Sequence, residues 1–383
     1  RPLGMAGALL AATLASPLLV RHAMAQPASV SEPTAATVLE ERVVVLEAGT
    51  AVESLERVNP KYPVGAARER VEDTVVLRVD IDEEGKPGAV AVVYSGGETT
   101  FQKQIEQSAV EAVRQWTFTP ATRGGQPIPA PAHLVSLHFR MYDDSPDISR
   151  RFANRYRKAE QLASSGDDEK AMKAIEALHE KDARSIGERV LTLLLEASVH
   201  ERMGNVPEAR EVAERARSLL DREEEPMAFE LAARSAIRLN ALVGDYQAVL
   251  GHYEDLLEPD SMLAADDPLH GQMDRIRQFI AGEEPLVTEG RLEACGAYCS
   301  TPTNRFYRGL NRSRFAIESV EGRIDTLTLV CDADTATLPW TANVVWVIED
   351  QREGCWLTVL GEADTSFRLV ELQAQGSSDS RAP

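Results

Sequence analysis

The sequence predicts an α+β multidomain protein, and three observations carry that reading. Residues 58–142 hold two β-rich runs around a glycine-containing turn, then an amphipathic helical stretch, then a last alternating run. Residues 147–284 are helical in pattern and punctuated by a recurring Gly-Asp or Gly-Asn pair. From 285 to 373 short β-rich runs alternate with Gly, Asp, Asn and Pro. The expected architecture is a small ββαβ domain, an all-α repeating middle, and a C-terminal antiparallel β sandwich or barrel.

In the first part, Val75 to Ile81 alternates β-branched and polar residues, residues 82–88 supply the Gly and Pro of a hairpin turn, and Ala89 to Tyr94 is again β-rich. Ile105, Ala109, Ala112, Val113 and Trp116 recur at helical spacing behind Thr99 and Thr100, and the strand Leu134 to Met141 follows a Pro- and Gly-rich loop. His133 and His138 lie an odd number of residues apart on that strand, so they point to opposite faces and do not converge on a metal.

In the middle, Gly166-Asp167, Gly204-Asn205 and Gly244-Asp245 recur at separations of 38 and 40 residues. From each Gly, small or apolar residues fall at fixed offsets: Ala171, Ile175 and Leu178, then Ala209, Ala213 and Ala216, then Val249, Tyr253 and Leu256. Each unit therefore reads as helix, Gly turn, helix, with glycine supplying the positive φ that ends the first helix. The pattern resembles the tetratricopeptide repeat. Glu223-Glu224-Glu225 reads as a solvated loop between units.

In the last part, five strands are expected over 315–320, 324–331, 344–349, 355–360 and 367–372, with Trp340, Trp346 and Trp356 in their core. Cys295, Cys299, Cys331 and Cys355 are all confined there. Three disulfide pairings are possible, and Cys295–Cys299 with Cys331–Cys355 is favoured over a zinc site, whose paired ligands are usually two residues apart. Arg305, Arg308, Arg312 and Arg314, interleaved with Phe306, Tyr307 and Phe315, invert the local charge. Their candidate partners are anionic glycans, lipids or an acidic protein face, the chain's own helical part included.

The chain has 383 residues with 41 Lys and Arg against 61 Asp and Glu, a formal charge of −20 spread along its length. That balance opposes phosphate neutralisation, so no nucleic-acid partner is expected. Residues 3–20 are small or apolar and Ala23-Met24-Ala25 offers a signal-peptidase pattern, so residues 1–25 read as a cleaved secretory signal, 26–57 as a linker with one short strand, and 374–383 as a disordered tail. Membrane association is expected only if the leader stays uncleaved. No nucleophile elbow, phosphate loop, H-E-x-x-H or G-x-G-x-x-G occurs, and neither an enzyme nor a cofactor is expected.

Several local features of the first part recur together in one known family. Asn59 to Pro63 (N-P-K-Y-P), the V-x-L-x-V-x-I strand with its acidic turn, Ser95-Gly96-Gly97, the helix ending in W-x-F-x-P-A at Trp116, Phe118, Pro120 and Ala121, and Gly125 to Ile128 resemble the TonB C-terminal domain. The resemblance implies a periplasmic domain that pairs its sheet edge with a peptide of an outer-membrane receptor. It would use Tyr62, Pro63, His133, Leu134, Val135, Ser136, Leu137, His138 and Phe139. The expected function is a periplasmic protein-interaction role, with receptor peptides or other periplasmic proteins as partners. A role as energy transducer in transport is the stronger version, and it requires a membrane anchor that a cleaved leader and a linker of only about 30 residues do not supply. The alternative is an envelope scaffold acting through the helical repeats.

Overall fold

A computed structural model of the chain describes residues 40–95, 100–141, 148–299, 301–351 and 354–373. The expected signal, the expected tail, and Gly96 and Gly97 lie outside the described residues. Residues 40–56, expected as linker, form three strands: β1 (Glu40–Val44), β2 (Gly49–Thr50) and β3 (Glu53–Glu56).

After the short helix α1 (Val64–Glu69), the strands β4 (Asp73–Ile81) and β5 (Pro87–Ser95), the helix α2 (Gln102–Val113) and the strand β9 (Ala130–Phe139) appear in the expected order. Between α2 and β9 come β6 (Thr117–Thr119), β7 (Ala121–Arg123) and β8 (Gln126–Ile128). The main sheet runs β5-β4-β9, while β3 pairs with β6 and β2 with β7 and β8. Val75, Leu77, Val79 and Ile81 of β4 bury against Ile105, Ala109, Ala112 and Val113 of α2, because a period of two on the strand and of 3.6 on the helix each put their apolar residues on one side. Gly85 closes the β4–β5 turn at φ +79°, where a Cβ would stand 2.0 Å from the Phe118 carbonyl oxygen. Only glycine fits both that backbone and that approach.

Three helical hairpins follow: α3 (Arg150–Ser164) with α4 (Asp168–Lys181), α5 (Ile186–Arg202) with α6 (Val206–Ser218), and α7 (Pro226–Leu242) with α8 (Tyr246–Leu257). A seventh helix, α9 (Pro268–Ile280), succeeds them. Gly166, Gly204 and Gly244 each adopt a positive φ at the hairpin turn, and the Asp167 and Asp245 side chains accept from backbone amides of the following helix. The nine residues at the fixed offsets are all buried.

The second and third hairpins share a polar network. Glu214 accepts from Asn240 Nδ2 at 2.5 Å and meets His252 Nε2 at 2.7 Å, and Asp255 joins Arg217 at 3.1 Å. Burial pushes the Glu214 carboxyl upward, but the bonds and charge of His252, the Asn240 amide and the Arg217 guanidinium hold it at about 2. Burial lowers His252, yet its contacts with Asp255 and Glu214 leave it above the ordinary histidine value. The Glu214 contribution to stability is therefore present above pH ~4.5 and is lost as pH falls toward 2. The His252 contribution is present below pH ~6.5 and is lost as pH rises through its raised value. The urea midpoint of the helical part should fall on both sides of that window. Glu214→Gln should flatten both limbs, and an unchanged profile in that variant would rule the network out as the cause.

The C-terminal part contains β10 (Leu286–Arg291), β11 (Glu293–Ala294), β12 (Asn304–Gly309), β13 (Arg314–Glu321), β14 (Ile324–Cys331), β15 (Asp334–Pro339), β16 (Val344–Ile348), β17 (Trp356–Gly361) and β18 (Ser366–Leu372). Two open five-stranded sheets result, β1-β16-β13-β18-β10 and β11-β12-β17-β14-β15, so the barrel alternative does not hold. Both contribute to one apolar core: Phe315, Trp346, Phe367 and Leu369 from the first meet Leu327, Leu329, Leu357 and Val359 from the second. Every strand pairing is antiparallel except β1 with β16, which places Val44 in this core. Cys295 pairs with Cys299 and Cys331 with Cys355. Trp346 is buried and Trp340 packs on the core, but Trp356 is only half-buried and stacks on Tyr307 at 4.8 Å.

Candidate functional site

The outward face of the β5-β4-β9 sheet, opposite α2, is covered by the other two parts of the chain. Thr74 Oγ1 donates to the Leu219 carbonyl, and the Arg215 guanidinium lies 5.1 Å over the Tyr94 ring. Arg78 donates to the carbonyls of Ala297 (2.9 Å) and Cys299 in the loop closed by the first disulfide. On the other face, at the start of β4 and opposite Phe139, Asp73 forms an ion pair with Arg189 of α5 at 3.0 Å, both side chains being withdrawn from water. Glu224 and Glu225, expected in a solvated loop, instead receive Arg140 just beyond β9. A carboxylate pair beside a buried guanidinium is held there by charge, which outweighs the loop's intrinsic preference for water.

The arginine cluster is also intramolecular, though its acceptors are not acidic faces alone. Arg308 donates to the Gly244 carbonyl at 2.5 Å, and Arg312 to the carbonyls of Ile280 (2.8 Å) and Gly282 (2.9 Å). These oxygens lie at or just past the C-terminal ends of α7 and α9, where unpaired carbonyls and the helix dipole favour a cation. Arg314 pairs with Glu41 of β1, and Arg305 lies over Tyr307.

With that face covered, the open feature of the small sheet is its edge. Among the described strands β9 has one neighbour, β4, paired from Asp73↔Phe139 to Val79↔His133 and, past a register shift, at Ile81↔Ala130. Leu137 and Phe139 point into the core, and Val135 packs against it. The His133 ring meets Phe118 edge-on at 5.8 Å. Leu134 is 47% exposed on the opposite side, and His138 Nδ1 lies 3.0 Å from Thr74 Oγ1. Burial lowers both histidines below the ordinary value, which favours their neutral rings. Tyr62 stands at the far end of the strand, its ring 5.5 Å from Phe139 and its hydroxyl donating to the Val71 carbonyl at 2.8 Å, and Pro63 caps α1.

A cleft of about 520 Å³ runs along this edge, lined by residues 133–136 on one side and by residues 52–54, Arg57 and Trp116 on the other. The structure thus gathers His133, Leu134, Val135 and Ser136 in the cleft and leaves Tyr62, Leu137, His138 and Phe139 outside it. Arg57 donates to Ser54 Oγ at 2.7 Å and lies 5.4 Å over the Trp116 ring, whose Nε1 donates to the Val58 carbonyl. Sequence reasoning missed this second wall, because Val52 to Glu56 is too short and too polar to show strand periodicity.

The fold defines a small ββαβ module with an open strand edge at β9. Residues 58–141 match the family described as Gram-negative bacterial TonB protein C-terminal, so the chain carries a TonB C-terminal domain there. Over 65 residues it is 42% identical to Protein tonB2 of Pseudomonas aeruginosa, covering 17% of this chain and 23% of that protein. It is 29% identical over 111 residues to Protein TonB of Vibrio cholerae (29% of this chain, 42% of that protein) and 36% identical over 67 residues to Protein TonB of Xanthomonas campestris (18% and 28%). The chain thus spans less than half the length of these relatives. Among the described residues no helix is long and apolar enough to cross a membrane.

Proposed function

We propose that the chain is a periplasmic, TonB-like protein-interaction protein of the Gram-negative envelope. It binds an extended peptide, such as the TonB box of an outer-membrane receptor, by strand addition to β9 and serves energy-dependent transport across the envelope. The observation that carries this reading is the single-sided pairing of β9 beside an open cleft, since an unpaired strand edge offers amides and carbonyls that only another extended chain can satisfy in register. Residues 133–136 make the edge contact and Tyr62, Pro63, Leu137, His138 and Phe139 hold the strand in place. In this reading residues 58–142 are the binding module, the tetratricopeptide-like hairpins of 147–284 are its support, and the two sheets of 285–373 form a sandwich that braces both.

Successive amides of a strand point to opposite edges, so of Val135→Pro and Ser136→Pro one removes a donor from the open edge and the other breaks the ladder with β4. The variant that keeps the wild-type urea midpoint is the edge variant. It should bind TonB-box peptide at least tenfold more weakly by calorimetry, and wild-type affinity in that variant would sink strand addition at β9.

The second reading, an envelope scaffold acting through the helical hairpins, is favoured by the docking of the sheet's outer face onto those helices and by the ion pair at the start of β4, which make them the structural centre of the chain. Under it the edge variant retains every partner.

A further inference from the structure

The cleft beside β9 has a second wall, and the two walls expose the same kind of group. A strand that turns a face toward a cavity lines it with every second residue, because side chains alternate across the strand. Here residues 133 to 136 of β9 line the cleft consecutively on one side, and on the other Glu53 and Ser54 of β3 do so, with Val52 just before the strand. Consecutive lining means that each strand presents its backbone edge. Among the described strands β9 pairs with β4 alone and β3 with β6 alone, so each is the last strand of its own sheet. Two unfinished sheets therefore face each other across one slot.

We propose that the slot takes a guest strand on both of its edges, so that the bound peptide joins the β5-β4-β9 sheet to the β3-β6 pair. This inference rests on the strand-addition reading above and deepens it: the partner is an extended segment whose successive amides are all free to bond. The four residues from 133 to 136 set a paired length of about 13 Å at ~3.3 Å per residue. Arg57, held by Ser54 and the Trp116 ring, fixes the second wall from below. A guest bound at an ordinary open edge satisfies half of its backbone groups and leaves the rest to water. A guest in this slot satisfies both halves, and Pro or any N-alkylated residue anywhere in the paired stretch is excluded.

Two measurements on the full chain with a synthetic TonB-box peptide test this. In hydrogen exchange followed by mass spectrometry, saturating peptide should slow exchange at least tenfold in both 133–136 and 52–57. Protection of 133–136 alone would overturn the two-sided slot and leave strand addition standing, whereas protection in neither segment would overturn both. In calorimetry, N-methylation of either of two successive central peptide residues should weaken binding at least tenfold. If only one of the two methyl groups matters, the guest pairs on one side and the proposal fails.

Discussion

Arg189→Met is expected to cost about 3–5 kcal/mol, the penalty for leaving a buried carboxylate without its counter-charge. Asp73 sits at the start of β4, the central strand of the small sheet, and Arg189 of α5 meets it at 3.0 Å with side-chain exposures of 1% and 0%. Arg189 Nε also reaches the Ala183 carbonyl at 3.4 Å, so the guanidinium is anchored from the helical side. Removing it leaves the Asp73 carboxylate with the Thr74 amide at 2.8 Å but without the guanidinium charge, and the junction between sheet and helices must open to admit water. Amide exchange in residues 73–81 and 186–202 should accelerate by about two to three and a half orders of magnitude, at about one decade per 1.4 kcal/mol. The double variant Asp73→Leu/Arg189→Met should recover most of the loss, because two apolar groups of similar volume need no desolvation. A single variant that leaves exchange within a factor of five of wild type would mean that the pair does not hold the junction.

Buried ion pairs of this kind explain why the parts were legible in the sequence and their assembly was not. The β4 alternation from Val75 to Ile81 and the three Gly turns at 166, 204 and 244 are local signals, since period and positive φ are properties of neighbouring residues. The parallel pairing of β1 with β16 joins Glu40 to Val344 across some three hundred residues, and no local pattern marks it. The apolar run Val43 to Leu46, the short strand of the expected linker, marks a strand but not its partner. The arginine cluster was visible as a charge inversion, but its acceptors at Gly244, Ile280 and Gly282 are backbone carbonyls, which every residue type carries. Likewise the β9 edge follows from the order of strands, whereas the wall opposite depends on where residues 52–57 return.

The disulfides should differ in their worth, and the larger effect belongs to Cys331–Cys355. Closing a loop removes entropy from the unfolded chain in proportion to the logarithm of its length. A separation of 24 gives about 3.5 kcal/mol, against about 2 kcal/mol for the separation of 4 in Cys295–Cys299. Packing widens the gap. Cys331 and Cys355 are each 1% exposed within the shared core, at the end of β14 and immediately before β17, so Cys331→Ala/Cys355→Ala also leaves a void among Leu329, Leu357 and their neighbours. The short loop is solvent-facing, and its stake lies elsewhere: its Ala297 and Cys299 carbonyls hold Arg78 on the small sheet. The Cys331/Cys355 variant should therefore lower the stability of the two-sheet part by at least ~3.5 kcal/mol in urea, with faster exchange across β14 and β17. Cys295→Ala/Cys299→Ala should leave those strands unchanged and loosen exchange around Arg78 in β4. Equal effects of the two variants on β14 would show that the two-sheet core and the small sheet unfold as one unit, and that the loop-length argument does not set the difference.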